Sequence, residues 1–295
     1  MDSLPGFPHA NAVLPQYGGA LNFFYKTYEI QPTHSRTRQP RLDYINQFNP
    51  KNRMVSINLA RIIAKISGDG HLSKRQIMYF NTSATLREEF KEDIKVIFGK
   101  TKMSEGVMSS GTPYIAVFGK HIVEVLNQFL PSYNSYDIFI PEVILKAEDK
   151  ILREYMRTFY DDEGCASLRL NKKTNEWKRS ITLTSNSYKI LTQIKEALYS
   201  LGIETNSIIR TKAKSNYDHS FVLSITGKKN FLKFRRKVGF KHPQKARRVD
   251  QIIFSYNATS KNKYGFESLK REIKEKNELV VPENKGGQLT GIPAR

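Results

Sequence analysis

An internal repeat constrains the fold of this chain more than any other feature. The dipeptides Asp69-Gly70 and Glu163-Gly164 stand 94 positions apart, and each follows an apolar helical pattern. Each is followed by the same predicted succession of two strands, a helix, a hairpin and a further helix. Self-similarity at a fixed spacing is typical of a duplicated unit. The chain is therefore predicted to be an α+β protein with two pseudo-symmetric αββαββα repeats.

The helix before each acid carries the strongest apolar periodicity. In both helices apolar residues recur at i, i+3, i+4 and i+7, which predicts one buried face. These residues are Leu59, Ile62, Ile63 and Ile66 in the first helix, and Leu152, Tyr155, Met156 and Phe159 in the second. The first helix also has a row of small residues, Ala60, Ala64 and Gly68, along which another helix can approach closely. The two helices are predicted to pack as a central pair.

Packing of these helices would bring Asp69 and Glu163 together at one end of their interface. Neighbouring carboxylates repel each other, and the negative C-terminal ends of helices add to the repulsion. This arrangement favours divalent cations, and Mg²⁺ suits such oxygen ligands. Metal ions beside a phosphodiester can activate water and neutralise the leaving oxygen. The alternative is that both acids are ordinary polar helix terminators, since acid-glycine pairs are common in turns.

The charge balance indicates a polyanionic partner. Lys and Arg number 48 against 28 Asp and Glu, which gives a formal net charge of +20 and a pI of about 9.8. Nucleic acid is the partner favoured by such a balance, ahead of an acidic membrane surface. The alternative is a basic protein that its charge merely keeps in solution.

Cysteine, histidine and hydropathy patterns exclude several classes. Cys165 is the single cysteine, so the sequence allows neither an internal disulfide nor a cysteine-rich zinc site. The six histidines lack metal-ligand spacing. The sequence has neither an apolar run long enough for a membrane span nor an N-terminal signal peptide. An intracellular, reducing compartment is expected, and secretion and membrane association are not.

Two segments resemble the signature helices of the LAGLIDADG homing endonucleases in their single-chain, two-motif form. They are "IIAKISGDG" at 62–70 and "MRTFYDDEG" at 156–164, and the resemblance covers roughly residues 55–255. It implies that the signature helices form the interface between the repeats. It also implies that each repeat offers a saddle-shaped antiparallel sheet to the DNA major groove. Lys65, Ser67, Thr158 and Asp162 depart from the usual motif.

The resemblance also implies a set of site residues. Asp69 and Glu163 are the expected metal-binding and catalytic acids, completed by the backbone carbonyls of Gly68 and Asp162. Two or three divalent cations are expected, with Mg²⁺ as the natural one and Mn²⁺ or Ca²⁺ able to substitute in binding. Asn186 is the expected polar catalytic residue, and Ser83 occupies the comparable place in the first repeat.

Lysines near the scissile phosphate are harder to assign. Lys245, in "GFKHPQKARR", is the candidate catalytic lysine, with Lys241 behind it, and Lys120 and Lys228 are weaker candidates. For each lysine the alternative is a solvated surface charge or a phosphate anchor. Basic and polar residues of the strands and their turns are expected to bind DNA, although the sequence does not say which of them touch bases. They are Lys74, Arg75, Gln76, Arg169, Lys172, Lys173, Lys178, Arg179, Arg210, Lys212 and Lys214.

Four segments are predicted: an N-terminal extension at 1–54, a first repeat at 55–146, a second repeat at 147–255, and a C-terminal helix and tail at 256–295. The function predicted is a monomeric, site-specific double-stranded DNA endonuclease of the intron-homing type. The alternatives are an RNA maturase that binds intron RNA and a catalytically silent DNA-binding protein. An intein is disfavoured, because the chain begins Met1-Asp2 and ends "TGIPAR".

Overall fold

The computed structural model describes residues 55–171, 173–211, 220–258 and 263–278. The predicted N-terminal extension and residues 279–295 lie outside the described residues. The first repeat contains three helices and four strands. In chain order they are α1 Ile57–Ser67, β1 Gly70–Leu72, β2 Gln76–Phe80, α2 Ala84–Phe98, β3 Lys102–Val107, β4 Pro113–Phe118 and α3 Lys120–Asn127.

A short helix, α4 (Glu142–Leu145), precedes the second repeat, which has the same order of elements. They are α5 Asp149–Glu163, β5 Gly164–Asn171, β6 Glu176–Ser185, α6 Tyr188–Ser200, β7 Ile209–Arg210, β8 Phe221–Ile225 and α7 Lys228–Lys237. The prediction of an α+β protein with two αββαββα repeats is confirmed. Two helices follow, α8 (Pro243–Phe254) and α9 (Lys263–Glu278). Helix α8 was not predicted, because its first two turns are basic and carry no apolar period.

Each repeat forms one four-stranded antiparallel sheet. The strand orders correspond, β1-β2-β4-β3 in the first sheet and β5-β6-β8-β7 in the second. Successive side chains of a strand point to opposite faces. Ile77 and Tyr79 of β2 are fully buried on the inner face, as are Ile181 and Leu183 of β6. The alternate residues of these strands therefore lie on the outer faces.

The two signature helices, α1 and α5, pack against each other as the central helix pair. Ala60 and Ala64 are fully buried in this contact, as their small size predicted. At the end of the row, a Cβ atom on Gly68 would lie 2.9 Å from the Cβ of Asp162. Real Cβ atoms do not approach so closely, so glycine is required at 68 for the helix ends to meet.

A buried ionic network crosses the interface between the repeats. Glu89 of α2 accepts hydrogen bonds from Lys65 at 2.7 Å, Arg157 at 3.0 Å and Lys241 at 2.8 Å. Burial alone would raise the pKa of Glu89, but Lys65, Lys241 and Arg157 outweigh burial and lower the pKa to about 2. Lys65, which interrupts the apolar stretch of the first motif, is thus fully buried with a carboxylate partner. One acid of the first repeat thereby binds cations from both repeats.

Two further features bear on the sequence predictions. Within the part of the chain that is described, no helix has both the length and the apolar character needed to cross a bilayer. Residues 255–258 brace the second sheet, since the indole N–H of Trp177 donates to the carbonyl of Ala258 at 3.0 Å.

The network predicts that Glu89→Gln destabilises the protein strongly. Removing the charge leaves the buried ammonium of Lys65 without its ionic partner, which costs about 3–5 kcal/mol in comparable buried pairs. Urea denaturation measures the free energy of unfolding. The matched control is Glu92→Gln on the same helix, because Glu92 forms an exposed pair with Lys95; its expected cost is below about 1 kcal/mol. Equal effects of the two substitutions would contradict a stabilising role for the network.

Candidate active site

The two acid-glycine pairs lie where each signature helix turns directly into a strand. Asp69 stands between α1 and β1, and Glu163 is the last residue of α5. The strands fold back so tightly that a Cβ on Gly70 would overlap Ile66, and one on Gly164 would overlap Tyr160. Glycine after the acid therefore allows each carboxylate to sit at the very end of its helix. This explains the repeated dipeptide.

Asn81 joins the acids of the two repeats. Its side-chain amide donates to Oδ2 of Asp69 and to Oδ1 of Asp162, both at 3.2 Å. The hydroxyl of Tyr79 also donates to Oδ1 of Asp162, at 2.7 Å. The other oxygen of this carboxyl, Oδ2, is buried and has no hydrogen-bond partner among the described residues. The side chain of Asp162 thus enters the first repeat with one oxygen still unsatisfied.

Burial raises the pKa values of all three acids at this junction, and the charge of Asp69 adds to the rise for Asp162 and Glu163. Burial raises the pKa of Asp69, although Lys245 and Asn81 oppose the shift. Burial and the charge of Asp69 hold the pKa of Asp162 well above its usual range. The same two causes raise the pKa of Glu163 to about 7, against an opposing effect of Lys245. The effect of Asp69 on the pKa of Glu163 indicates that the charges of these two acids interact.

Lys245 is the predicted lysine that the structure places at the acids. Its ammonium donates to the backbone carbonyls of Asp161 and, at 3.2 Å, of Asp162. Burial lowers the pKa of Lys245, and the neighbouring acids Asp162, Asp161 and Asp69 oppose that shift. Lys241 instead binds Glu89. Lys120 pairs with Glu124 at 3.2 Å, and Lys228 lies 5.8 Å from the ring of Tyr256.

Asp161 holds the segment that carries Lys245. Its carboxylate accepts the backbone N–H groups of Lys241 and His242, each at 2.9 Å. These groups lie immediately before α8, so the acid fixes the start of that helix against the end of α5. The position equivalent to Asp161 in the first repeat is Ser67, whose hydroxyl donates to the carbonyl of Ile63 in its own helix at 2.8 Å.

The structure does not place the predicted polar residue Asn186 beside the acids. Its amide donates to Ser135 at 3.2 Å, in the segment that links the repeats. Ser83 is the residue that caps α2, and its N–H donates to Asn81. Ser83 and Asn186 were predicted because each lies sixteen residues before the glycine that follows its helix, Gly99 or Gly202. This spacing leads to the start of α2 and of α6. Asn81 was missed, because its bond to Asp162 in the other repeat depends on how the repeats pack.

The donor set fits a divalent cation in part. Asp69 and Glu163 supply two oxygen-bearing side chains, and the unpartnered oxygen of Asp162 adds unsatisfied negative potential. Among the described residues no group of three or more His, Cys, Asp and Glu side chains is arranged to hold a metal ion. The carbonyl of Asp162, predicted as a ligand, already accepts a hydrogen bond from Lys245. Gly68, the other predicted carbonyl ligand, lies directly against Asp162.

Several predicted DNA-binding residues lie on accessible surface. Arg169 and Lys178 are register partners on the outer face of the second sheet, and both are exposed. Arg210 is exposed on the edge strand β7. Lys74, Arg75 and Lys173 are exposed in turns between strands, and Gln76 is half-buried on the outer face of the first sheet. The predicted residues outside the described ranges are Lys172, Lys212 and Lys214.

Arg179 does not fit the predicted role of a DNA contact. Its side chain points to the same side of β6 as those of Trp177 and Ile181, which are buried, so Arg179 lies on the inner face of the second sheet. Its guanidinium donates to the hydroxyl and the carbonyl of Ser255 at 2.7 and 2.9 Å, and lies 4.3 Å from the ring centroid of Tyr256. Arg179 therefore anchors the segment after α8 to the sheet.

A comparison with known protein families finds a match in the second repeat. Residues 150–239 match the model of the family described as LAGLIDADG-like domain. The match lies within the second repeat and covers less than half of the chain. The resemblance predicted from the two motifs is thereby confirmed, and the first repeat has the same order of helices and strands.

Curated relatives of the chain are longer proteins. The replication factor C small subunits of Methanocaldococcus jannaschii and Thermococcus kodakarensis are each 26% identical to it, over 203 and 199 residues. These matches cover 68% and 66% of this chain. The chain spans only 10% and 21% of the length of the two relatives.

Several solved structures resemble the chain at low identity. The homing endonuclease I-DmoI, in complex with DNA and Mn, is 16% identical, with a TM-score of 0.45, and the match covers 62% of this chain and 95% of that one. I-WcaI, bound to its DNA recognition sequence, is 16% identical with a TM-score of 0.43, covering 77% and 95%. Full-length DUF199/WhiA from Thermatoga maritima is 11% identical with a TM-score of 0.45, covering 83% and 75%.

The raised pKa of Glu163 predicts a pH-dependent effect of Glu163→Gln on stability in the absence of metal. A carboxyl whose folded pKa is raised contributes stability below its unfolded pKa, near 4.5, and loses it as the pH rises through about 7. The variant should match the wild type at pH 5 and exceed it at pH 8, by on the order of 2–3 kcal/mol.

Urea denaturation with a chelator present measures this difference. The control Glu92→Gln removes an exposed carboxylate and should follow the wild type at both pH values. A Glu163→Gln variant that is no more stable than the wild type at pH 8 would show that the acid carries no electrostatic strain.

Proposed function

We propose that the protein is a site-specific endonuclease that cleaves both strands of duplex DNA with divalent cations. The observation that carries the proposal is the convergence of Asp69, Asp162 and Glu163 where the two LAGLIDADG helices end. Three acids crowded together repel one another, so the site has a strong affinity for positive charge. The net charge of +20 supports a polyanionic substrate.

Asp69 and Glu163 would hold the cations, because Asp69 directly follows the residue that caps α1 and Glu163 is the last residue of α5. When bound, a divalent cation offsets charge on a phosphodiester and makes water a better nucleophile at neutral pH. Mg²⁺ fits oxygen ligands of this kind, and Mn²⁺ and Ca²⁺ are expected to bind in its place.

The remaining residues orient the acids and the substrate. Asn81 fixes the carboxylates of Asp69 and Asp162 relative to each other through its two hydrogen bonds. Lys245 holds a positive charge beside the acids, and we assign it the binding of a phosphate oxygen. Asp161 keeps Lys245 in place by anchoring the start of α8. Only the second repeat has this anchored lysine, so the two strands of DNA would meet chemically different surroundings.

The outer sheet faces are proposed as the DNA-binding surfaces, one for each half of the target. A two-stranded ribbon fits the major groove, and exposed Arg169 and Lys178 lie side by side on β5 and β6. A single chain with two repeats supplies both halves, so a monomer is sufficient. An RNA maturase and a silent DNA-binding protein share the fold and differ in whether DNA is cut.

Cleavage selection on a randomised duplex library in Mg²⁺ is the test. The wild type should recover a discrete target, and Asp69→Asn and Glu163→Gln should each lower the cleavage rate at least about 100-fold while retaining binding. Either substitution removes a ligand charge without changing the shape of the side chain. The control Glu142→Gln alters an exposed acid on α4 and should cleave normally.

The outcomes separate the candidate functions. Recovery of a bound but uncut duplex would favour the silent DNA-binding protein. Binding of intron RNA together with uncut DNA would favour the maturase. Undiminished cleavage by both acid variants would refute the proposed site.

A further inference from the structure

The outer face of the first sheet is rich in apolar and aromatic side chains. The strand register places Met78 opposite Ala116, Phe80 opposite Tyr114 and Gln76 opposite Phe118. These residues alternate with the buried Ile77 and Tyr79, so they share the face that points away from the helices. We name the group Met78, Phe80, Tyr114 and Phe118 the aromatic face.

Contacts within the aromatic face show that it is an organised surface. The rings of Phe80 and Tyr114 lie 5.9 Å apart. Tyr114 lies over Gly106 of the neighbouring strand, where any Cβ would collide with its hydroxyl. Phe118 is 36% exposed, and Met78, Phe80 and Tyr114 are half-buried. Apolar side chains gathered on an open sheet face mark an interaction surface.

The corresponding face of the second sheet has a different chemistry. Its register partners include Ser167 with Ser180, and Arg169 with Lys178. Thr182 and Ser224 pair on the same face, between β6 and β8. This hydroxyl face offers donors, acceptors and positive charge. The apolar pair Ile209 and Val222 lies at the edge of this face. The two repeats share a fold, but most of the side chains on their outer faces differ in chemistry.

Charge at its edge favours DNA as the occupant of the aromatic face. Lys74 and Arg75 are exposed in the turn between β1 and β2, and Lys102 places its ammonium 5.6 Å from the ring of Phe118. The strands that carry the face also border the acids, since Asp69 precedes β1 and Asn81 follows β2. The aromatic face is therefore continuous with the candidate active site and has a rim that binds phosphate.

Apolar side chains can read only one feature in the major groove. Thymine alone presents a methyl group there, whereas the other bases present donors and acceptors that an apolar surface would leave unpaired. We propose that the first repeat recognises thymine methyl groups in its half-site through the aromatic face, and that the second repeat reads its half-site through polar contacts. This inference rests on the proposed function.

The test uses the duplex recovered by the cleavage selection. Thymine is replaced by deoxyuridine, which lacks only the methyl group, in one half-site at a time. Binding by the full-length wild-type protein is measured with a chelator present, so that no cleavage occurs. Affinity should fall about fourfold for each contacted methyl group in one half-site, the loss expected for one buried methyl. It should change less than about twofold in the other half-site.

Variants assign the effect to the first repeat. In the double variant Met78→Ala, Phe118→Ala the penalty for deoxyuridine should fall by at least half, because two of the four apolar side chains of the aromatic face are truncated. In Thr182→Ala, on the hydroxyl face, the penalty should remain. Met78→Leu keeps an apolar side chain of similar size and should retain the penalty, which guards against a fold that has simply been weakened.

The possible failures are distinct. A protein that binds no duplex would overturn the proposed function together with this inference. A protein that binds a target would overturn this inference alone in any of three ways. The first is a target without thymine in either half-site, and the second is an equal deoxyuridine penalty in both half-sites. The third is a penalty that is undiminished in the Met78, Phe118 double variant.

Discussion

The close approach of α1 and α5 is the contact on which the rest of the structure depends. Ala60 and Ala64 are buried between the helices, and Gly68 leaves no room for a side chain beside Asp162. Because the helices meet at their C-terminal ends, the acids that follow them share one small volume. Packing geometry thus sets the electrostatics, and the raised pKa values of Asp69, Asp162 and Glu163 follow from it.

Crowded acids destabilise a fold, and the buried network around Glu89 lies where it can offset that effect. Glu89 binds cations from α1, α5 and the segment before α8, so it joins the two repeats around the strained site. The repulsion among the acids is confined to the site and favours the binding of positive charge. The ion pairs of Glu89 extend over both repeats and stabilise the fold. Sites that store unfavourable interactions generally depend on such support from their surroundings.

Much of the fold could be predicted because its signals are local. Helical periodicity located α1 and α5, and the repeated acid-glycine pair located the acids. The errors concern contacts between residues far apart in the chain. Asn81 reaches Asp162 across the interface, Asp161 holds backbone 80 positions away, and Arg179 turns inward to Ser255. Neither composition nor spacing specifies such partners, since they depend on how the repeats pack.

The hydrogen bond from Tyr79 to Asp162 has no mate under the pseudo-symmetry. The register places Leu183 where the second repeat would need the phenol, and Gly68 stands where the first would need the carboxyl. In a pair of first halves, the hydroxyl of Tyr79 would have no carboxylate to bind. In a pair of second halves, two copies of Asp162 would face each other where Gly68 now faces Asp162. Each half therefore complements the other, and neither half is suited to form the same contact with a second copy of itself.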